Sequence, residues 1–386
     1  MQKVKYFMTS PVLAGQGVAK DVGAEAVKLG MRKAMIVTDK GVAKAGIAEL
    51  IAGYLKGAGI ETVIFDEVQP DPLDTTCVAG AEFAVANEVD GIIGLGGGSV
   101  MDASKAMNIL THNPLPLSQY YESWDYNKAF PLILIPTTAG TGAENTLYGV
   151  ISCTETGRKR VVCEVGSLTI LDPELAYGLP ADITAYTGID AFSHIVEGMT
   201  CNVLNPLTDA LGIDAIKRIY KWLPIAVKEP DNLEARENMG IASNFAGTAN
   251  TNTCSHLGHA MAQCIGARFH VTHGIACAWS VPEVMAYAAK GRMDQLQKIA
   301  DALGFTFDEN DTVEEKGQKI ADFIRSFYNS LGDVKIKKIS DYGITREEFQ
   351  SIVDDVRKDN CYAFLPMELT RDEVYEFLGR VYDTNS

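Results

Sequence analysis

Several marks of specialised chains are missing from this sequence. No apolar run approaches the roughly eighteen residues of a membrane-spanning helix, so a membrane is not an expected partner. Positive charge is in deficit: 34 Lys and Arg face 50 Asp and Glu, a net charge of −16. Binding a nucleic-acid backbone draws on clustered cations, and the only tight basic cluster is Arg158-Lys159-Arg160, so no nucleic-acid partner is expected either. The eight cysteines contain no C-x-x-C pair, which fits reduced thiols and leaves neither a zinc ribbon nor a disulfide framework. The opening residues lack the continuous apolar core of a signal peptide, and the expected location is the cytoplasm. Internal repeats, low-complexity tracts and flexible linkers are also lacking.

Histidine is scarce, and its distribution is uneven. The chain has six, of which His194, His256, His259, His270 and His273 crowd into one stretch that begins at Asp190. Asp190 and His194 lie four apart within a helical pattern of apolar residues, which places a carboxylate and an imidazole on one face. His259 opens a second helical run, and His273 follows a glycine-containing turn after it. One carboxylate oxygen with three imidazole nitrogens and an open position suits Fe(II), Zn(II), Co(II) or Mn(II) rather than the all-oxygen set of Ca(II) or Mg(II). Asp190, His194, His259 and His273 are therefore the candidate metal ligands. His256 and His270 are left as supporting, substrate-facing or structural residues.

At 386 residues the chain reads as two domains, 1–180 and 181–386. In the first, short apolar runs at 33–39, 61–66, 90–94 and 130–135 alternate with helical segments such as 43–55 and 75–87. This pattern predicts a parallel sheet, the Rossmann-like arrangement. Ligands in such sheets bind beyond the carboxyl ends of the strands. That edge carries Asp39, then Gly94-Leu-Gly96-Gly97-Gly98-Ser99, then the loop 136–144. A strand, a glycine cluster and a helix start together form a cradle for a pyrophosphate. In the standard dinucleotide fingerprint the acid follows the glycines by about twenty residues; here Asp39 precedes them, so the order is non-standard.

After about residue 183 the strand pattern stops. Helices are expected over 204–227 (interrupted at Pro224), 233–249, 256–265, 293–303, 313–331, 346–356 and 371–382. Two of them start with capping boxes, Thr345-x-x-Glu348 and Thr370-x-x-Glu373. The second domain is therefore all-helical. A dinucleotide cradle followed by an open metal site suggests hydride transfer, with the metal polarising an alcohol or carbonyl oxygen.

Five motifs, in order, carry a family resemblance: Val37-Thr38-Asp39-Lys40-Gly41; Gly96-Gly97-Gly98-Ser99-x-x-Asp102; Thr137-Thr138-Ala139-Gly140-Thr141-Gly142-x-Glu144; Gly188-x-Asp190-Ala191-x-x-His194; and His259-Ala260-Met261-Ala262 with His273-Gly274 downstream. On these the chain resembles the iron-containing (group III) alcohol dehydrogenases over nearly its whole length. The resemblance implies the dehydroquinate synthase-like fold, an α/β N-terminal domain with an all-α C-terminal domain, and the same four metal ligands. It places Gly97, Gly98 and Ser99 on the pyrophosphate. Thr138, Thr141 and Lys159 match positions that contact the cofactor's phosphates, ribose or nicotinamide. Asp39 would accept from the adenosine ribose and repel a 2′-phosphate, favouring NAD(H). Fe(II) is the implied metal, with Zn(II) as the alternative. The implied substrates are short alcohols, diols or aldehydes, and homodimers or larger assemblies are implied as well.

The chain also departs from the family pattern. Gln263 stands where many members have a histidine four residues after His259, and glutamine cannot titrate near neutral pH. Water and ribose hydroxyls or a nearby group such as His270 would then move the proton. The segment Cys361-Tyr-Ala-Phe-Leu-Pro366 replaces a Cys…Asn-Pro-Arg motif, so substrate preference is expected to differ. Arg268 and His270 could favour an aldehyde with a sulfonate or carboxylate tail. The competing readings are a glycerol or diol dehydrogenase, a dehydroquinate synthase-like lyase, and a nucleotide- and metal-binding protein without turnover.

Overall fold

The computed structural model describes residues 3–386 and divides into two compact units. One is Met8–Tyr177; the other comprises the described residues up to Phe7 together with Gly178–Ser386.

The α/β unit is built on a six-stranded parallel sheet of order β1-β8-β5-β4-β2-β3. In chain order its elements are β1 (Val12–Ala14), α1 (Val22–Lys28), β2 (Lys33–Val37), α2 (Lys40–Lys44), α3 (Ile47–Gly57), β3 (Glu61–Phe65), α4 (Asp74–Ala86), β4 (Gly91–Gly96), α5 (Gly98–Leu110), β5 (Leu132–Pro136), β6 (Tyr148–Cys153), β7 (Arg158–Cys163) and β8 (Leu168–Leu171). Successive strand residues point to opposite faces. Met35, Val37, Ile92, Leu132 and Leu134 accordingly join one apolar cluster, with Val100, Ala103 and Met107 of α5. Ala34, Ile36, Ile93, Ile133 and Ile135 join another, with Val22 and Ala26 of α1 and Ile51 and Leu55 of α3. Burial on both faces is why these strands read as continuous apolar runs rather than as alternating ones.

The four expected strands form with slightly different ends. The segment 43–55 proves to be two helices, α2 and α3, parted at Gly46, whose φ of 77° suits a residue without a side chain. Strands β1 and β8 and the antiparallel hairpin β6–β7 were not foreseen. The first is only three residues long, and Arg158-Lys159-Arg160 on β7 masks the apolar signal.

The other unit contains no named strand among its described residues. Its helices are α6 (Ala181–Thr200), α7 (Pro206–Lys228), α8 (Leu233–Thr253), α9 (Leu257–Phe269), α10 (His273–Leu303), α11 (Val313–Asn329), α12 (Arg346–Gln350), α13 (Val353–Val356) and α14 (Arg371–Asn385). Helix α6 packs against α7, α8 and α10, and every residue from Gly188 to Thr200 is buried. Pro224 does not interrupt α7, which runs through it. The expected helix 293–303 is the second limb of α10, set off by non-helical Arg292 at φ −138°. The stretch 346–356 is two short helices rather than one. Both expected capping boxes form, and a third at Thr312 and Glu315 starts α11.

No described helix is long and apolar enough to cross a membrane.

Candidate active site

The strand order places three loops at neighbouring carboxyl ends: those after β5, β4 and β2. Thr38 Oγ1 donates to Leu95 O at 2.7 Å, and Thr137 N to Gly96 O at 2.9 Å, tying the loops to the glycine turn. Gly97 precedes α5 in extended conformation, and no side chain caps that helix. Its first N–H groups and the positive end of the helix dipole are therefore available to an anion.

The glycines here are demanded by space. A Cβ on Gly97 would lie 3.2 Å from Thr138 Oγ1, and one on Gly98 would lie 2.6 Å from Thr141 Cγ2. Thr138 thus closes on Gly97 and Thr141 on Gly98, with half-buried Ser99 next along the start of α5, and a bare backbone with hydroxyls beside it fits a pyrophosphate. Asp39 caps α2, its Oδ1 accepting from Gly41 N and Val42 N at 2.7 and 2.9 Å. Its other oxygen makes neither of these bonds. Gly96 closes β4, where a Cβ would strike Val100.

Asp102 lies one turn into α5, where desolvation pushes its carboxyl up to about 6 against the pull of Lys105 and Lys159. Lys159 pairs with Asp71 at 2.7 Å. Lys105, which the sequence reading missed, is fully buried. Its ammonium donates to Ala143 O, Thr146 O, Thr146 Oγ1 and Tyr148 O at 2.8–2.9 Å, binding the segment after the threonine loop to α5. Desolvation brings it down to about 8.

In the helical unit the candidate ligands gather around one carboxylate oxygen. Asp190 Oδ1 lies 3.5 Å from His273 Nε2, 3.6 Å from His259 Nε2 and 3.7 Å from His194 Nδ1. Helical spacing supplies Asp190 and His194 from α6, while α9 supplies His259 and the first residue of α10 supplies His273. Asp190, His194 and His259 are buried, and His273 is half-buried. Burial opposes the charge on Asp190, yet the imidazoles of His194, His273 and His259 hold its carboxyl well below the usual range. Desolvation brings His194 down to about 4, leaving a neutral imidazole with a lone pair to give at pH 7.

Buried polar atoms are ordinarily satisfied, but His194 Nδ1 and His259 Nε2 have no hydrogen-bond partner. Donor atoms of Asp190, His259, His273 and Cys277 all lie within 4.8 Å of one another. One carboxylate and several imidazole nitrogens, mostly buried and partly unpartnered, fit a divalent transition metal.

The structure also adds residues and separates others. Cys277, one helical turn after His273, directs its thiol at Asp190 Oδ1 from 3.8 Å. His256 is fully buried, with Nε2 bonded to Thr200 Oγ1 at 2.9 Å. Glu197 lies seven residues after Asp190, and its carboxylate meets His259 Nδ1 in a very short contact. Its place on the ligand-bearing face of α6 was readable from the sequence.

His270 is exposed at the left-handed C-cap of α9 and is not among the groups around Asp190. Arg268 is exposed too, and its charge acts on Glu348. Gln263 Nε2 meets Cys361 Sγ at 3.5 Å.

Two family models cover most of the chain: iron-containing alcohol dehydrogenase over residues 9–173, and the Fe-containing alcohol dehydrogenase family, C-terminal, over 184–382. The chain belongs to the iron-containing alcohol dehydrogenase family and is an oxidoreductase of the alcohol and aldehyde class. It is 31% identical to the NAD-dependent methanol dehydrogenase of Bacillus methanolicus, over 97% of this chain and 98% of that one. It is 33% identical to the sulfoacetaldehyde reductase of Bilophila wadsworthia (strain 3_1_6), over 90% and 91% respectively. The crystal structure of a 1,3-propanediol oxidoreductase matches it with a TM-score of 0.93 at 32% identity, covering 98% of this chain and all of that one.

Proposed function

We propose that this protein is an NAD(H)-dependent, metal-dependent alcohol dehydrogenase or aldehyde reductase acting on short, uncharged substrates, with Fe(II) preferred and Zn(II) accepted. The observation that carries the reading is the ring of imidazoles around Asp190 Oδ1, with His259 Nε2 buried and unpartnered. When bound, the nicotinamide supplies the hydride acceptor or donor, and the divalent cation supplies the Lewis acid that polarises the substrate oxygen.

The chain's own residues bind and orient. Gly97, Gly98, Ser99, Thr138 and Thr141 hold the pyrophosphate, with Gly96 keeping the turn tight. Asp102, one turn into α5, and Lys159, whose charge acts on it, contribute to cofactor binding. Asp39 accepts from the adenosine ribose and repels a 2′-phosphate, which favours NAD(H). Asp190, His194, His259 and His273 hold the metal, and desolvation keeps His194 unprotonated as a donor. The proton leaves through water and ribose hydroxyls, because Gln263 does not titrate and His270 is exposed.

The relatives are named for methanol and for a sulfonated aldehyde at similar identity, so identity does not choose between neutral and acidic substrates. The exposure of Arg268 and His270 favours the neutral ones. Diol oxidation is a second reading, supported by the propanediol oxidoreductase match. The same proposal includes a cytoplasmic homodimer or larger homo-oligomer, as the family resemblance implies.

The test is NADH and NADPH oxidation by protein reconstituted with Fe(II), with Zn(II) or with no metal, against propionaldehyde and a sulfonated aldehyde. Metal-dependent turnover with NADH that favours propionaldehyde is expected. Turnover without metal, or none with any pair despite NADH binding, would sink the reading.

A further inference from the structure

Glu197 is fully buried and has no part in the chemistry proposed above. It lies on α6 at the third position of the series Asp190, His194, Glu197, a spacing that keeps all three on one helical face. Its Oε1 accepts Gly258 N at 2.7 Å and His256 N at 3.2 Å, and its Oε2 accepts His259 N at 3.1 Å. These N–H groups belong to the start of α9, which has no side-chain cap from its own N-cap residue, His256. A carboxylate from another helix therefore does the capping, at the positive end of the dipole.

The same carboxylate also meets His259 Nδ1. An ionised carboxylate only accepts, so Nδ1 keeps its proton whatever the charge of the ring, and Nε2 is the nitrogen left to give its lone pair to a cation. Nε2 is the atom that faces Asp190 without a hydrogen-bond partner. Space at this point is fully taken: a Cβ on Gly258 would lie 2.9 Å from Glu197 Cδ, Oε1 and Oε2.

We propose that Glu197 is a positioning residue that holds His259 as the Nδ1–H tautomer, presents Nε2 to a divalent cation, and fixes that imidazole to the first turn of α9. The proposal rests on the metal-site reading. It gives Gly258 a role as well, as the residue that leaves room for the carboxylate.

Glu197→Gln separates positioning from capping. The amide oxygen at the Oε1 position still accepts from Gly258 N and His256 N, whereas the amide nitrogen at the Oε2 position gives up the bond from His259 N and, donating towards Nδ1, draws the lone pair there and places the proton on Nε2. The full-length, metal-free chain is titrated with Co(II) against a competing chelator. The variant is expected to bind about 10–100-fold more weakly, the usual cost of losing an outer partner of a metal-bound histidine. Its metal-free melting temperature should fall only modestly, since two of the three backbone bonds at the start of α9 remain, and long-range 1H–15N spectra should show Nδ1 of His259 protonated in wild type and bare in the variant. Gly258→Ala displaces the carboxylate without altering its charge and should weaken Co(II) binding as well. Because both changes act on one contact, the double variant should fall short of their sum. If Glu197→Gln does not fold, Gly258→Ala decides alone. Binding within about twofold of wild type in the folded variants, with any loss confined to melting temperature, would reduce Glu197 to a cap. Wild-type protein that binds no Co(II) would overturn both this proposal and the metal site beneath it.

Discussion

The two units hold their ligand sites by opposite means. In the α/β unit the cradle is backbone: free N–H groups at the start of α5, approached closely because Gly97 and Gly98 lack side chains. In the helical unit the site is side chain: a carboxylate and imidazoles, mostly buried, each aimed by a helix. A backbone site tolerates many substitutions but not an added atom. A buried side-chain site tolerates added atoms poorly too, and it carries charge that responds to pH.

Acid should bring out that difference most strongly. Desolvation lowers both His194 and His256 to about 4, against about 6.5 in the unfolded chain. Between these values the unfolded chain binds more protons, so the metal-free helical unit loses stability as pH falls from about 6.5 to about 4. The loss is on the order of 3 kcal/mol for each histidine. His259 does not offset it: although burial works against its charge, Glu197 and Asp190 raise it to about 10, so its contribution is complete above this window. Asp102 in the α/β unit runs the other way. Pushed up to about 6 by desolvation, it takes a proton in the folded state first, so its contribution grows as pH falls from about 6 towards 4. Hydrogen exchange at pH 7 and pH 4.5 should show protection lost first in the helices of residues 181–303. Equal loss in both units would break the comparison.

An added atom probes the cradle. Gly98→Ala places a methyl 2.6 Å from Thr141 Cγ2. Overpacking of this kind costs about 1–3 kcal/mol, which corresponds to a Kd for NADH raised about 10–100-fold. Co(II) affinity should not change, and Gly98→Ala with Thr141→Ser, which removes the crowding methyl, should recover part of the loss. Isothermal titration with each ligand checks both halves, and a fall in Co(II) affinity would show that the two sites are not independent.

The smallest effect is expected at Arg268. It is exposed and acts on Glu348, so Arg268→Ala should change the ratio of kcat/KM between a sulfonated aldehyde and propionaldehyde by less than about twofold. A larger fall with the sulfonated substrate would restore the anionic pocket.

The sequence showed these sites to different depths. Strands β2, β4 and β5 were legible because burial on both faces leaves an unbroken apolar run, and edge strand β3, only partly buried, was legible from its β-branched and aromatic residues. Strands β1 and β8 depend on pairing with each other across most of the domain, which no local pattern carries. Pro224 signalled a break that α7 does not make, its tertiary packing outweighing the lost hydrogen bond. The Asp190–His194 pair followed from helical spacing, whereas convergence of His259 and His273 on it required the fold. The roles of Glu197 and Cys277 were not legible although each lies at helical spacing from a ligand, because a single acid or thiol on a buried helix face looks like any other until the fold shows what it meets. His270 lies close to the ligands in sequence, but its exposed place at the end of α9 could be read only from the fold.

Helix α6 carries Asp190, His194 and Glu197 as one strip, and this has a bearing on protein engineering. A single residue inserted before Asp190 turns the strip by about 100° about the helix axis. Both ligands and the supporting carboxylate then leave the interior together, so the site is gained or lost as a block rather than by degrees. By the same reasoning the pattern Asp-x-x-x-His-x-x-Glu is a portable cassette. A recipient scaffold needs a buried helix face to receive it, and across from that face a helix start with a glycine followed by a histidine in its first turn and a second histidine from another helix.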